Sequence, residues 1–140
     1  MEQWEVILRG HKKLRKLLQN EAEKLGLTYT DVQVLYSLSS GEKNVSTLAK
    51  LVDVNKSTMV EVLDKLEKMG YIKKSKNEQD KRVVIIKVTE EGLNILTQVR
   101  TRYKDLILTL LDKVENKECV LAFFNAIIDQ AEKQSLSTLA

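Results

Sequence analysis

Apolar residues return every third or fourth position from Trp4 through Ile7, Leu8, Leu14, Leu18 and Ala22 to Leu25, with His11 on the same face. That period predicts one amphipathic helix over residues 2–25, ending near Gly26. Thr30, with Gln33 three residues on, has the form of a capping box, and Val32, Leu35, Tyr36 and Leu38 supply the apolar face of a second helix before the Ser39, Ser40, Gly41 break. Asn44 is placed to cap a short helix over 45–52, and Asn55 to cap the next. In that next helix Met59, Val62, Leu63 and Leu66 fall within a narrow arc, while Ser57, Val60, Glu61, Asp64, Lys65 and Lys68 point away from it. One face packs and the other is offered to a partner. Asp53, in the turn between the two, is a residue that tolerates a left-handed backbone.

Beyond Gly70 the period changes from helical to alternating. Val84, Ile86 and Val88 follow a charged tip of Asp80, Lys81 and Arg82, the pattern of a basic loop held out by two strands. Thr89 then caps a long helix whose first turn holds Glu90 and Glu91, and whose apolar positions run through Leu93, Leu96, Val99, Tyr103, Leu106 and Leu110 to about Leu111. After a break at Lys113 to Lys117, a last helix is predicted from Glu118 to about Lys133. The order α, α, α, α, β, β, α, α describes a mainly α chain with a small β-hairpin wing. Residues 30–89 form a winged helix-turn-helix domain, and residues 1–29 and 90–140 form long N- and C-terminal helical extensions. The commonest use of such a module is reading duplex DNA. The extensions carry more apolar surface than so small a module can cover, above all Phe123, Phe124, Ile127 and Ile128. A second subunit is the natural cover, so a homodimer is expected, with two recognition helices for two half-sites.

Charge sharpens this picture through its distribution rather than its sum. The formal net charge is only +3, yet residues 54–87 alone carry +4, against +1 for 1–53 and −2 for 88–140. The excess lies where a phosphate backbone would want it. A single cysteine excludes an internal disulfide framework, and one Cys with one His excludes a protein-only zinc site of the usual four ligands. A reducing, cytoplasmic setting is therefore expected, with no metal or cofactor. No apolar run approaches the roughly 18 residues of a membrane span, and the start has no small-residue cleavage signal. No enzyme constellation is present either: there is no nucleophile with base and orienter, and no glycine-rich phosphate loop.

The wing residues Asp80, Arg82, Ile86, Val88, Thr89 and Gly92, together with Lys56, Ser57, Thr58, Leu63, Asp64, Lys65, Leu66, Glu67 and Gly70, resemble the MarR family of multiple-antibiotic-resistance regulators. The match extends over nearly the full chain. The resemblance implies a homodimer with interleaved first and last helices, bound to pseudo-palindromic promoter DNA and often released by a small aromatic or phenolic effector. A repressor is the expected form. Arg82 matches the arginine that enters the minor groove, and Asp80 the acid that orients the wing. An arginine suits that groove physically, being permanently charged and weakly hydrated. The plainer reading is a surface arginine paired with Asp80.

The DNA-facing set is thus Asn55, Lys56, Ser57, Thr58, Val60, Glu61 and Lys65 from the helix, with Lys74, Lys76, Asp80, Lys81 and Arg82 from the wing. Glu61 departs from the family, where a basic residue is common. It either accepts a hydrogen bond from the N4 amine of cytosine, with Val60 touching a thymine methyl, or pairs with Lys65 on the solvent face. The resemblance places an effector pocket between the extensions and the winged module, with His11, Tyr36 and Tyr103 as lining residues. His11 and Cys119 are otherwise expected to be packed. Relatives that sense peroxide carry their cysteine in the first helix, where this chain has none. The alternative function is a winged-helix module for protein contact or assembly, favoured by Glu61 and Asp64 on the outward face.

Overall fold

The computed structural model describes residues 1–139, with side chains as far as Leu136. Residue 140, the end of the expected C-terminal extension, lies outside the described residues. Six helices and three strands follow one another: α1 (Gln3–Glu23), α2 (Tyr29–Leu38), β1 (Lys43–Asn44), α3 (Val45–Val52), α4 (Lys56–Lys68), β2 (Ile72–Lys76), β3 (Val84–Val88), α5 (Glu90–Leu111) and α6 (Lys117–Leu139). The chain divides into two compact units, residues 1–103 and 104–140.

In the first unit, the apolar faces of α2, α3 and α4 read from the periodicity meet in one core, whereas α1 contributes only Ala22 and leaves Trp4, Ile7 and Leu8 exposed. Ala22 of α1, Val34, Leu35 and Leu38 of α2, Leu48 of α3, and Met59, Leu63 and Leu66 of α4 join Ile72, Ile86, Leu96 and Val99 there. The caps at Asn44 and Asn55 form as the sequence implied. Each side-chain oxygen accepts the backbone N–H three residues on, at 2.8 Å. Asp53 adopts the left-handed conformation, φ 60° and ψ 49°, ending α3 within two residues of the next cap.

Three expectations need correction. The start of α2 is capped by Thr28 and Asp31, not Thr30 and Gln33, so the helix begins one residue early. A shorter acidic side chain at the third helical position closes this box, with Thr28 N–H donating to Asp31 at 2.8 Å and Asp31 N–H to Thr28 Oγ1 at 3.0 Å. The hairpin is also joined by a third strand. β1 pairs antiparallel with β3, Lys43 opposite Ile86 and Asn44 opposite Ile85, in the sheet order β1-β3-β2. Finally, α6 begins at Lys117, with Asn116 Oδ1 accepting from Cys119 N–H at 3.2 Å, and runs on to Leu139 rather than stopping near Lys133.

The junction between wing and α5 is tight. Thr89 Oγ1 donates to Gly70 O at 2.7 Å and accepts from Gly92 N–H at 3.1 Å, capping α5 against the end of α4. Thr89 N–H also donates to Tyr71 O at 3.0 Å. In the second unit the described side chains of α6 are almost all exposed, including Leu121, Phe123, Phe124, Ile127 and Ile128. Phe123 and Phe124 meet edge to face, ring centroids 5.9 Å apart. No described helix is long and apolar enough to cross a membrane.

Candidate nucleic-acid interface

The outward face of α4 is bounded by ion pairs on both flanks. Successive residues advance by about 100° around a helix, so Lys65 falls on one shoulder of the buried arc while Asp64 and Glu67 fall on the other. Lys65 Nζ donates to Asp31 Oδ2 at the start of α2. On the opposite shoulder, Lys74 of β2 donates to Asp64 and lies 3.6 Å from Glu67. The hydrogen bond that Lys74 donates to Asp64, helped by the charge of Glu67, raises Lys74 above the usual lysine range despite partial burial. Between these contacts Ser57, Val60, Glu61 and Lys68 stay exposed. Glu61 therefore does not pair with Lys65 as one sequence reading had it; Lys65 is engaged elsewhere, and Glu61 makes no ion pair among the described residues.

At the head of α4, Asn55 Oδ1 is occupied by the helix itself. It accepts from Thr58 N–H and from Ser57 Oγ, both at 2.8 Å. Thr58 is half-buried, and Lys56 beside it is exposed and forms no ion pair among the described residues. This places the helix start, with its outward-facing N–H groups, where an anion is favoured.

The wing tip is ordered by its own polar side chains. Asn77 Oδ1 accepts from the N–H groups of Gln79 and Asp80, at 2.8 and 3.2 Å, and Asn77 N–H donates to Val83 O at 2.9 Å. Asp80 then accepts from Arg82 three times: from N–H and Nε at 3.1 Å, and from Nη2 at 3.3 Å. Those contacts, the guanidinium first and the backbone N–H second, hold the Asp80 carboxyl below its ordinary range. The side chain of Arg82 is nonetheless 91% exposed. It is aimed but not covered. Lys76 and Lys81 are exposed, and neither forms an ion pair among the described residues.

The nominated effector residues separate. Tyr36 and Tyr103 line one pocket of about 190 Å³ with Val32, Gln33 and Arg100. Arg100 joins this lining beyond the residues expected from sequence; it sits three residues before Tyr103 and hence on the same helix face. Its guanidinium lies 4.5 Å from the centre of the Tyr36 ring. The Tyr103 hydroxyl has no hydrogen-bond partner among the described residues, and burial, with the nearby Tyr29, pushes it up to about 12. His11 does not line this pocket and is exposed on α1; Cys119, expected to be packed, is exposed at the start of α6. Both sit on helices whose apolar faces this chain leaves open.

Comparison with known proteins bears on what such a surface serves. The family model described as "Transcriptional regulator SarA/Rot" matches residues 16–99. The HTH-type transcriptional regulator SarZ of Staphylococcus haemolyticus is 36% identical over 74 residues, 52% of this chain and 50% of that protein. The chain thus spans about half the length of the curated relatives it matches. Among solved structures, the transcriptional regulator BldR from Sulfolobus solfataricus superposes with a TM-score of 0.76 at 26% identity, over 93% of this chain and 99% of that one. A cysteine-to-serine mutant of MarR from E. coli, solved in complex with operator DNA, gives a TM-score of 0.73 at 24% identity, over 89% and 91% of the two chains. The fold is the MarR-type winged helix that the resemblance implied, and the relatives are regulators rather than enzymes.

Proposed function

Because the chain belongs to the SarA/Rot family of transcriptional regulators, we propose that it is a cytoplasmic homodimer that binds a pseudo-palindromic operator and represses transcription from it. The single observation that carries this reading is the pairing of an exposed helix face with an exposed, pre-oriented Arg82 at the tip of an ordered wing. In this reading residues 30–89 read DNA. The head of α4, Lys56, Ser57, Val60 and Glu61, lies in the major groove, and Arg82, steadied by Asp80 and flanked by Lys76 and Lys81, enters the minor groove. MarR, which shares this fold, has been solved in complex with operator DNA, in keeping with a DNA-binding use of the fold. Residues 1–29 and 90–140 supply the dimer contacts, which would cover Trp4, Ile7 and Leu8 on α1 and the apolar side chains of α6.

The effector reading attaches to the pocket between Tyr36 and Tyr103. Two aromatic rings, a guanidinium and an unpartnered phenol hydroxyl suit a small aromatic acid or phenol, and the volume admits little more than one ring. A mobility shift with duplex DNA at about 50 and 200 mM salt tests the main reading. Half a dozen phosphate contacts imply an affinity loss of roughly 10³-fold across that interval. Binding that ignores salt would instead favour the protein-contact reading.

A further inference from the structure

Asp31 is the only charged residue that is buried among those described, with 1% of its surface exposed. Its Oδ2 accepts two donors at once: Thr28 N–H, closing the α2 capping box, and Lys65 Nζ from the shoulder of α4. Resting on the DNA-binding reading above, we propose that Asp31 is a positioning residue of the interface. It withholds Lys65 from the phosphate backbone and fixes how far α4 is rotated about its axis, whereas Lys74 on the other flank is released to DNA.

The two lysines differ in what they would leave behind. The Lys65 side chain is 43% exposed, so access does not keep it from phosphate. Its partner does. A carboxylate shut away from water loses its only cation if Lys65 turns outward, and an uncompensated buried charge is far costlier than a surface phosphate contact is favourable. Lys74 leaves Asp64 and Glu67, both about half exposed, and water replaces the lysine at once. A lysine engaged with Asp31 also ties α4 to α2, so the groups between the flanks, Ser57, Glu61 and Lys68, keep one orientation. The helix that holds Asp31, α2, also carries Val32, Gln33 and Tyr36 of the pocket.

The test is the slope of log affinity against log salt for duplex DNA, since a merely structural residue would not change the number of displaced counterions. Lys74→Met should flatten the slope by about 0.9 per protomer. Lys65→Met should leave it unchanged. Asp31→Asn keeps an oxygen for Thr28 N–H but frees Lys65, so it should steepen the slope by about 0.9 per protomer, and the double variant Asp31→Asn, Lys65→Met should restore the wild-type value. Lys65→Met flattening the slope as Lys74→Met does, or Asp31→Asn matching wild type, would overturn the role given to Asp31. A readout on the unmutated sequence guards against failed folding. With lysines methylated using ¹³C-formaldehyde, the Lys65 resonance should hold its place when operator is added while that of Lys74 moves; the reverse also overturns the proposal. Wild-type protein without salt-dependent binding would be a different failure, removing the DNA reading and this one together.

Discussion

Replacing Gly92 by alanine sets two effects of opposite sign against each other at the wing junction. Intrinsic helix propensity favours alanine by about 1 kcal/mol at this third position of α5. Packing opposes it. A Cβ built on Gly92 would lie 2.2 Å from Tyr71 O and 2.8 Å from Val88 Cγ2, and the first of these is backbone that cannot rotate aside. Relief requires the first turn of α5 to move off the base of β2, which breaks the Thr89 N–H to Tyr71 O and Thr89 Oγ1 to Gly70 O contacts. Two hydrogen bonds at about 0.5–1.5 kcal/mol each, with about 1–3 kcal/mol for overpacking, outweigh the propensity gain. The net is a loss of about 3 kcal/mol. Urea unfolding followed by circular dichroism, at one protein concentration for both variants, measures it. A Gly92→Ala midpoint at or above wild type would refute the reasoning, because propensity alone would then decide the site.

Arg82→Ala should lower operator affinity by about 1–3 kcal/mol, more than Lys76→Ala, since an inserted arginine meets focused negative potential while a stem lysine meets a solvated phosphate; equal losses in a titration would show that the wing tip is not inserted. Tyr103 is held above its unfolded value, so the stability it contributes is fully present below about pH 10 and is lost as pH rises through about 12. Alkaline unfolding should therefore begin at higher pH in Tyr103→Phe, and identical profiles in the two proteins would contradict the burial of that hydroxyl. Sedimentation at micromolar concentration should report a dimer, with Ile127→Glu shifted toward monomer; a wild-type monomer would leave the apolar surfaces of α1 and α6 unexplained.

What the sequence made legible was periodic or local. The buried arc of α4, the alternation of Val84, Ile86 and Val88, and the caps at Asn44, Asn55 and Thr89 each depend on spacings within a few residues, and each stands in the structure. β1 was invisible because two residues carry no period. The α2 cap is ambiguous in sequence because Thr28 with Asp31 and Thr30 with Gln33 have the same form; in the structure the Asp31 carboxylate also accepts from Lys65, 34 residues away, a contact that no local spacing reveals. The engagement of Lys65 and Lys74 depends on helix rotation and on which residues of β2 face α4, and neither is written in spacing. Counting both lysines as free cations was therefore the natural reading, and pairing Glu61 with Lys65 the natural alternative. His11 and Cys119 lie on faces where residue type implies packing, and this chain leaves those faces uncovered.

Selection of genomic DNA fragments by the purified protein, followed by sequencing, tests DNA recognition most directly. A dimer presenting two α4 helices and two wings should enrich fragments that share an inverted repeat, with half-site centres about one helical turn, or a whole number of turns, apart. The Arg82→Ala variant should recover the same repeat with weaker enrichment. Fragments no different from the input, recovered at moderate salt by a protein shown to be folded, would contradict sequence-specific DNA binding by this wing and helix.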